Sequence, residues 1–130
     1  MSDGPFVLDA SALLAVLQSE PGAARVAELL PRASVSAVNL SEVVAKLQER
    51  GMPDTRIRVA LDDLDLDIRA FDLDDAYAAG ELRGPTRALG LSFGDRACLA
   101  LAIRLHATAA TGDRAWTGVI GGSIRVELIR

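Results

Sequence analysis

The sequence has 130 residues, half of them hydrophobic, with 14 Lys or Arg, 18 Asp or Glu and a net charge of −4. This length predicts a single domain spanning residues 1–130, since domains typically contain about 100–150 residues, and the apolar content excludes a disordered chain. One cysteine excludes an internal disulfide framework and a cysteine-based zinc site, one histidine excludes any site that needs two, and the negative charge argues against binding nucleic acid through overall basicity.

The N-terminal half alternates short apolar runs with amphipathic segments of helical period. Its first residues carry no basic segment of a secretory signal, and no apolar stretch approaches the ~20 residues of a membrane span, which predicts a cytoplasmic protein. The predicted elements are a strand at Phe6–Leu8, helices at 11–18 and 23–30, a strand at 34–38, a helix at 39–50 capped by Asn39, and a helix at 53–64.

The C-terminal half continues this alternation. Strands separated by helices favour an α/β fold: a three-layer α/β/α domain with a central, mostly parallel sheet. The predicted elements are a half-exposed strand at 66–73 near a sheet edge, an Ala-rich helix opened by Asp74 and broken at Gly84-Pro85, a largely buried helix at 95–106 capped by Ser92, and strands at 108–111 and 123–129.

Four acids fall where ligands bind in such a sheet, at the carboxyl ends of the strands. Asp9 ends the first strand, Glu42 lies in the first turn of the helix after the second, Asp95 lies in the first turn of the buried helix, and Asp113 follows the strand at 108–111. Glu42 and Asp95 also fit capping boxes with Asn39 and Ser92, and Asp113 also fits a turn. Asp9 has apolar runs on both sides, so it is expected to be buried beside a cation or an arginine.

The combination of the four acids suggests a metal site. Hard oxygen ligands without cysteine or histidine suit Mg²⁺ or Mn²⁺, and Mg²⁺ is usually held by one or two carboxylates and several waters. That coordination leaves positions for phosphate oxygens.

These residues, in this order, resemble the PIN domain family. The segments carrying the acids are LDASALL, NLSEVVAKL, LSFGDRACLALA and TGDRAW, and the first and third also resemble VapC toxins of bacterial type II toxin–antitoxin systems. The resemblance covers essentially the whole chain. It implies a Mg²⁺- or Mn²⁺-dependent endoribonuclease that cleaves RNA with a metal-activated water. It also implies a homodimer neutralised by a VapB-like antitoxin.

The same resemblance assigns residue roles. Asp9 and Asp95 correspond to metal ligands, Glu42 and Asp113 complete the acidic catalytic site, and Ser11 and Thr111 match the small hydroxyl positions that support the acids. Two other classes stay open. One is a non-catalytic PIN-like binding module, and the other is a receiver-type phospho-acceptor, which would require a second acid near Asp9 and a late lysine.

Several further residues have structural interpretations. Cys98 is expected in the core, His106 at a helix end, and Trp116 either on a base or, preferentially, packed against the sheet or a dimer partner. Arg96 and Arg114 suit RNA phosphate, an acidic antitoxin segment or surface pairs equally. The seven acids within residues 62–75 are expected to form a solvated face: Asp62, Asp63, Asp65, Asp67, Asp72, Asp74 and Asp75.

That acidic segment changes the meaning of the net charge. Residues 62–75 hold seven acids and one arginine, so the rest of the chain carries +2, and +6 without the four site acids. A low isoelectric point therefore does not argue against an RNA substrate. Binding should depend on divalent metal and a few arginines, and cleavage should fail without metal even at low salt.

Overall fold

Five short parallel strands form the single sheet of the protein, seen here in a computed structural model that describes residues 4–119 and 124–130. The strands are β1 (Phe6–Leu8), β2 (Ala33–Ser36), β3 (Asp67–Arg69), β4 (Thr108–Thr111) and β5 (Arg125–Leu128). Their order is β3-β2-β1-β4-β5, and every pairing between neighbours is parallel. The prediction of an α/β fold with a mostly parallel central sheet is confirmed.

Helices cover both faces of this sheet. The two longest, α3 and α7, each have 13 residues and contact each other beside the carboxyl ends of the strands. The helices are α1 (Ala10–Gln18), α2 (Ala23–Leu29), α3 (Ala37–Glu49), α4 (Asp54–Asp62), α5 (Leu73–Glu81), α6 (Arg83–Thr86) and α7 (Phe93–Leu105), with 3₁₀ turns at Leu30–Arg32, Arg87–Leu89 and Arg114–Gly118.

The central strand β1 separates two apolar cores because successive side chains of a strand point to opposite faces. Phe6 and Leu8 pack with α1 to α4 on one face. Val7 packs on the other face with α7 and with Trp116, which is fully buried. Both faces of β1 are covered, so the strand is an uninterrupted apolar run. The layers are therefore helix, sheet, helix, as predicted.

The boundary between β2 and α3 differs from the prediction. The strand ends at Ser36 rather than residue 38, and the Ser36 hydroxyl caps α3 by accepting from the Val38 amide at 3.2 Å. The prediction that Asn39 caps this helix is wrong, because Asn39 already lies inside its first turn. Glu42 consequently lies in the second turn, so the two side chains are neighbours on one helix face.

Other boundaries moved by a few residues. The predicted strand at 66–73 is confirmed as an edge strand but pairs only over Asp67–Arg69. The helical break precedes Gly84 and falls at Leu82. The last strand begins at Arg125, and Ser123, where it was predicted to begin, lies outside the described residues.

The acidic segment is mostly the solvated face that the sequence predicted, with one correction. Six of its seven acids are exposed, but Asp75 is only 5% exposed. It forms a capping box with Asp72 at the start of α5 and accepts from Arg104 of α7 at 3.1 Å. Burial of Asp75 follows from the docking of α5 on α7, which alternation along the sequence does not reveal.

The remaining structural expectations agree with the fold. Cys98 is fully buried in the second core, and His106 is the C-cap of α7. Within the described residues, none of the helices has both the length and the apolar character needed to cross a membrane.

Candidate functional site

Asp9 lies at the centre of the carboxyl edge of the sheet, between the end of β1 and the start of α1. Its side chain caps α1 by accepting from the Ala12 amide at 2.9 Å. The Ser11 hydroxyl donates to the same oxygen at 2.7 Å, and the Thr111 hydroxyl donates to the other oxygen at 2.6 Å. The carboxylate is therefore fixed by the start of α1 on one side and by the end of β4 on the other.

The two hydroxyls also fix the chain that follows β4. Ser11 Oγ accepts from the Gly112 amide at 2.8 Å, and Thr111 Oγ1 accepts from the Asp113 amide at 3.0 Å. The parallel register pairs Leu8 with Ala110, so Asp9, just beyond β1, stands beside Thr111, the last residue of β4. The positions of Ser11 and Thr111 thus depend on strand order as well as on sequence.

Burial dominates the electrostatics of Asp9, which is only 4% exposed. Its pKa is raised to about 6, chiefly by desolvation and in a smaller part by the nearby Asp95 charge, against the opposing effect of its three hydrogen bonds. Near neutral pH the side chain is thus a buried carboxylate held at an energetic cost.

Glu42 reaches the same edge from α3. Its Oε1 accepts from Asn39 Nδ2 at 2.8 Å, and the same amide nitrogen donates to the Gly94 carbonyl of α7 at 3.0 Å. The Glu42 carboxylate lies directly on Gly94, where a Cβ atom would overlap it. Although Glu42 as a whole residue is exposed, this contact desolvates the carboxylate, which raises its pKa, and the Asp95 charge adds to the effect.

Asp95 lies at the N-terminus of α7, next to Gly94. It forms the predicted capping box: the Ser92 amide donates to Asp95 Oδ2 at 2.8 Å, and Ser92 Oγ accepts from the Asp95 amide at 3.2 Å. The capping role does not exclude a second one, because the Asp95 charge acts on both Asp9 and Glu42. The structure therefore brings three of the four predicted acids into one electrostatic group.

Asp113 is placed differently. Its backbone is fixed by Thr111, but its carboxylate accepts from the Ala115 amide at 2.9 Å and caps the 3₁₀ turn Arg114–Gly118. Among the described residues, nothing joins this exposed side chain to the other three acids. Asp113 thus borders the group rather than completing it.

Within residues 4–119 and 124–130, the three grouped acids have no cationic partner, since none of the ion pairs involves Asp9, Glu42 or Asp95. Burial, together with the charges of these three acids, raises the pKa of the Cys98 thiol well above its usual range. Such a group favours a bound cation, which would offset the repulsion between its charges.

The side-chain donors of this site suit an ion that keeps several of its waters. In the described part of the chain, no three His, Cys, Asp or Glu side chains form a group that could hold an ion by themselves. A dry cage of protein ligands is therefore not present. Mg²⁺ usually keeps several waters and takes only one or two carboxylates, and hard oxygens are the donors available here.

Two residues of this site, Asn39 and Gly94, were not assigned to it from the sequence. The signal for Asn39 was its polar side chain in register with apolar Val43 and Leu47, which lie four and eight residues further along α3. No signal singled out Gly94, since its contact with α3 is a tertiary one. Two other residues named from the sequence lie in this part of the fold. Trp116 is packed in the core, not available to a base, and Arg96 donates to the Ala79 carbonyl and lies over the Phe93 ring.

Comparisons with known proteins identify similar chains and similar structures. The family model described as PIN domain matches residues 6–119. Ribonuclease VapC42 of Mycobacterium tuberculosis is 33% identical over 107 residues, covering 75% of this chain and 82% of the relative, and a VapC ribonuclease of Mycobacterium bovis matches equally well.

Solved structures show the same fold. DNA-bound VapBC from Salmonella typhimurium aligns with a TM-score of 0.76 at 17% identity, over 98% of this chain and 99% of that one. VapBC2 from Rickettsia felis, bound to a promoter DNA fragment, aligns with a TM-score of 0.74 at 19% identity, over 95% and 97%.

Proposed function

The chain belongs to the PIN domain family, and from that premise we propose that it is a Mg²⁺- or Mn²⁺-dependent endoribonuclease, the toxin of a type II toxin–antitoxin pair. One observation carries the proposal: at the carboxyl edge of the sheet the Asp95 charge acts on Asp9 and Glu42, and within residues 4–119 and 124–130 none of the ion pairs involves these three acids. Its curated relatives are named ribonucleases.

The residues present suggest how the site would work. Asp9 and Asp95 would hold the ion, with Glu42 and Asp113 acting directly or through water. A divalent ion bound there would supply positive charge at the scissile phosphate and lower the pKa of a bound water. Ser11 and Thr111 hold the Asp9 carboxylate in one orientation by donating to both of its oxygens.

Glu42 is suited to a proton-handling role. Its raised pKa comes from desolvation against Gly94 and from the Asp95 charge. A carboxylate whose pKa lies above its usual range is a better base than an ordinary surface glutamate. In this proposal Glu42 accepts a proton from the attacking water, and its position depends on the amide of Asn39.

The direct test is RNA cleavage by the purified chain at low salt, with Mg²⁺, with Mn²⁺ and with EDTA. We expect cleavage only with the divalent ions, and a loss of about 100-fold or more in Asp95→Asn. Asp74→Asn is the matched control, because Asp74 is also an acid in a first helical turn, on α5, and its loss removes the same charge.

Three outcomes would point elsewhere. Equal cleavage in EDTA would remove the metal from the chemistry. Mn²⁺ binding without cleavage of any RNA would favour the non-catalytic module. The receiver-type alternative would require acetyl-phosphate labelling at Asp9. The sheet already argues against that alternative, because its order β3-β2-β1-β4-β5 differs from the 2-1-3-4-5 order of receiver domains.

Metal binding is also measurable without RNA. A ligand that binds only the folded state stabilises it by about 2.7 kcal/mol when its free concentration is roughly 100 times its Kd. We therefore expect Mn²⁺ to raise the free energy of unfolding of the wild-type chain and to have little effect on Asp9→Asn. An equal shift in both proteins would show that the ion binds at another site.

The partners belong to the same proposal: a VapB-like antitoxin, a second copy of the chain and a cytoplasmic RNA substrate. The structural neighbours include toxin–antitoxin complexes. Several large apolar side chains of this chain are exposed and could be buried against an antitoxin or a second copy. They are Val44, Val59, Ile68, Leu73, Tyr77 and Phe93. Light scattering of the purified chain tests the homodimer, and co-purification with the product of a small adjacent upstream gene tests the antitoxin.

A further inference from the structure

Asn39 is a polar residue in an apolar position. The inward stripe of α3 consists of Asn39, Val43 and Leu47, and Asn39 is only 1% exposed. An aliphatic side chain would continue this stripe, whereas a buried amide is unfavourable unless its polar atoms are hydrogen-bonded. Its presence here needs an explanation beyond packing.

The amide of Asn39 is only half satisfied. Nδ2 donates to two acceptors, Glu42 Oε1 and the Gly94 carbonyl, so a flipped amide would place its oxygen against both of them. The orientation is therefore fixed by its partners. Oδ1 is then left buried without a hydrogen-bond partner among the described residues. The amide nitrogen thus bonds Glu42 and α7, while the amide oxygen stays buried without a hydrogen bond, which is unfavourable for folding.

The Glu42 carboxylate occupies a slot that has Asn39 on one side and Gly94 on the other. Gly94 is buried in the first turn of α7, beside Asp95, and a Cβ atom there would overlap the Glu42 carboxylate. A glycine within a helix normally weakens it, so its use here is explained by the close approach of another group. The Glu42 carboxylate lies between the Asn39 amide and the Gly94 backbone.

We propose that Asn39 and Gly94 are positioning residues that hold the Glu42 carboxylate beside Asp95, and that the chain gives up folding stability for this placement. The inference rests on the proposed function, because it assigns the placement to a metal-dependent site. It goes further by naming two residues outside the four acids and by predicting that replacing them weakens metal binding and cleavage without lowering stability.

The main test compares the wild-type chain with Asn39→Leu, in which the amide is replaced by an apolar group of similar shape. We expect the urea midpoint to stay the same or rise, because an unsatisfied buried amide is removed. We expect Mn²⁺ affinity, measured by calorimetry without RNA, to fall about 10–100-fold, the usual loss when a group that orients a metal-binding side chain is removed. Cleavage should fall through kcat more than through KM.

Two variants provide the controls. Val43→Ala lies on the same stripe one turn away and should lower the urea midpoint while leaving Mn²⁺ affinity unchanged. Asn39→Ser keeps one donor and should retain part of the affinity that Asn39→Leu loses. A purely structural role for Asn39 predicts the opposite pattern, in which affinity falls only as the midpoint falls.

Gly94→Ala tests the other side of the slot. Alanine favours the helix, and the group that it meets is the end of a flexible side chain, so the fold should persist while the Glu42 carboxylate is displaced. Mn²⁺ affinity should fall without a loss of stability. In a Glu42→Gln background, both Gly94→Ala and Asn39→Leu should cause little further loss, because they act through Glu42.

The outcomes separate this inference from the proposed function. Wild-type Mn²⁺ affinity that persists in Asn39→Leu, or losses that simply add to that of Glu42→Gln, would overturn the inference and leave the proposed function intact. A wild-type chain that neither binds Mn²⁺ nor cleaves RNA would overturn both.

Discussion

The molecule contains two groups of acids with opposite environments. The acids of residues 62–75 are mostly exposed, and three of them are bonded to donors: Asp67 to Ser34 and Arg69, Asp72 to the start of α5, and Asp75 to Arg104. The three grouped acids of the candidate site are partly or deeply desolvated and have no basic partner among the described residues.

The difference appears in the direction of the pKa shifts. Hydrogen bonds lower the pKa of Asp67, chiefly from Ser34, and that of Asp72, chiefly from the Asp75 amide. Burial raises the pKa of Asp9 and of Glu42. The number of carboxylates in a region is therefore a poor guide to metal binding, and the absence of compensating donors and cations is a better one.

The largest expected effect comes from neutralising Asp9. Asp9→Asn keeps a side chain suited to capping α1 but removes the buried charge, so cleavage should fall about 1000-fold or more while metal-free stability at pH 7.5 rises by about 2–3 kcal/mol. Cleavage assays and urea unfolding measure the two effects. Asp63→Asn, in the exposed group, should change neither appreciably. A destabilised Asp9→Asn protein would contradict the conclusion that the Asp9 charge is buried without compensation.

The second effect is on the pH dependence of stability without metal. Because the folded pKa of Asp9, about 6, exceeds its ordinary value of 3.8, stability should fall as pH rises through about 4 to 6, by roughly 2–3 kcal/mol in total. The lowered pKa values of Asp67 and Asp72 act in the other direction, and their contribution is lost only below about pH 4. Urea unfolding from pH 3 to 8 should therefore show a maximum near pH 4–5.

That maximum has its own control. Asp9→Asn should reduce the decline above pH 5 and leave the acid side unchanged, and the remaining decline should come from Glu42, whose pKa burial also raises. Saturating Mn²⁺ should also reverse the decline, because the ion stabilises the charged form. A decline of the same size in Asp9→Asn would assign it to a group other than Asp9.

A smaller effect is expected from the buried member of the acidic segment. Asp75→Ala removes the reciprocal cap of α5 and the partner of Arg104, and should lower the free energy of unfolding by about 1–2 kcal/mol. It should leave Mn²⁺ affinity unchanged, as calorimetry can show. A loss of Mn²⁺ affinity would mean that the two groups of acids are coupled.

The smallest effect is at the sheet edge. Ser34→Ala removes the hydroxyl that donates to Asp67 at 2.8 Å, so the pKa of Asp67 should rise toward its ordinary value. Stability should fall by about 1 kcal/mol or less, since one partly buried hydrogen bond is lost. Titration of the carboxyl carbon by NMR measures the first effect. An unchanged pKa would contradict the assigned cause.

The sequence by itself determined the order of the strands and helices along the chain and which acids lie at the sheet edge. Apolar runs and helical periods predict the alternation of strands and helices, since burial of a face requires those periods. Position directly after Phe6–Leu8 marks Asp9, and position in the first turn of Phe93–Leu105 marks Asp95, as acids at the sheet edge. Ser92 and Asp95 also predict their capping box, because a cap is a local interaction.

The tertiary structure decided which of those acids act together. Ser36 rather than Asn39 caps α3, and this shift turns the Asn39 amide inward to Glu42 and Gly94, which is 55 residues away. The direction of the Asp113 carboxylate and the burial of Asp75 were decided in the same way. These features depend on contacts between distant elements, and a pattern along the chain records only neighbours within a turn or two.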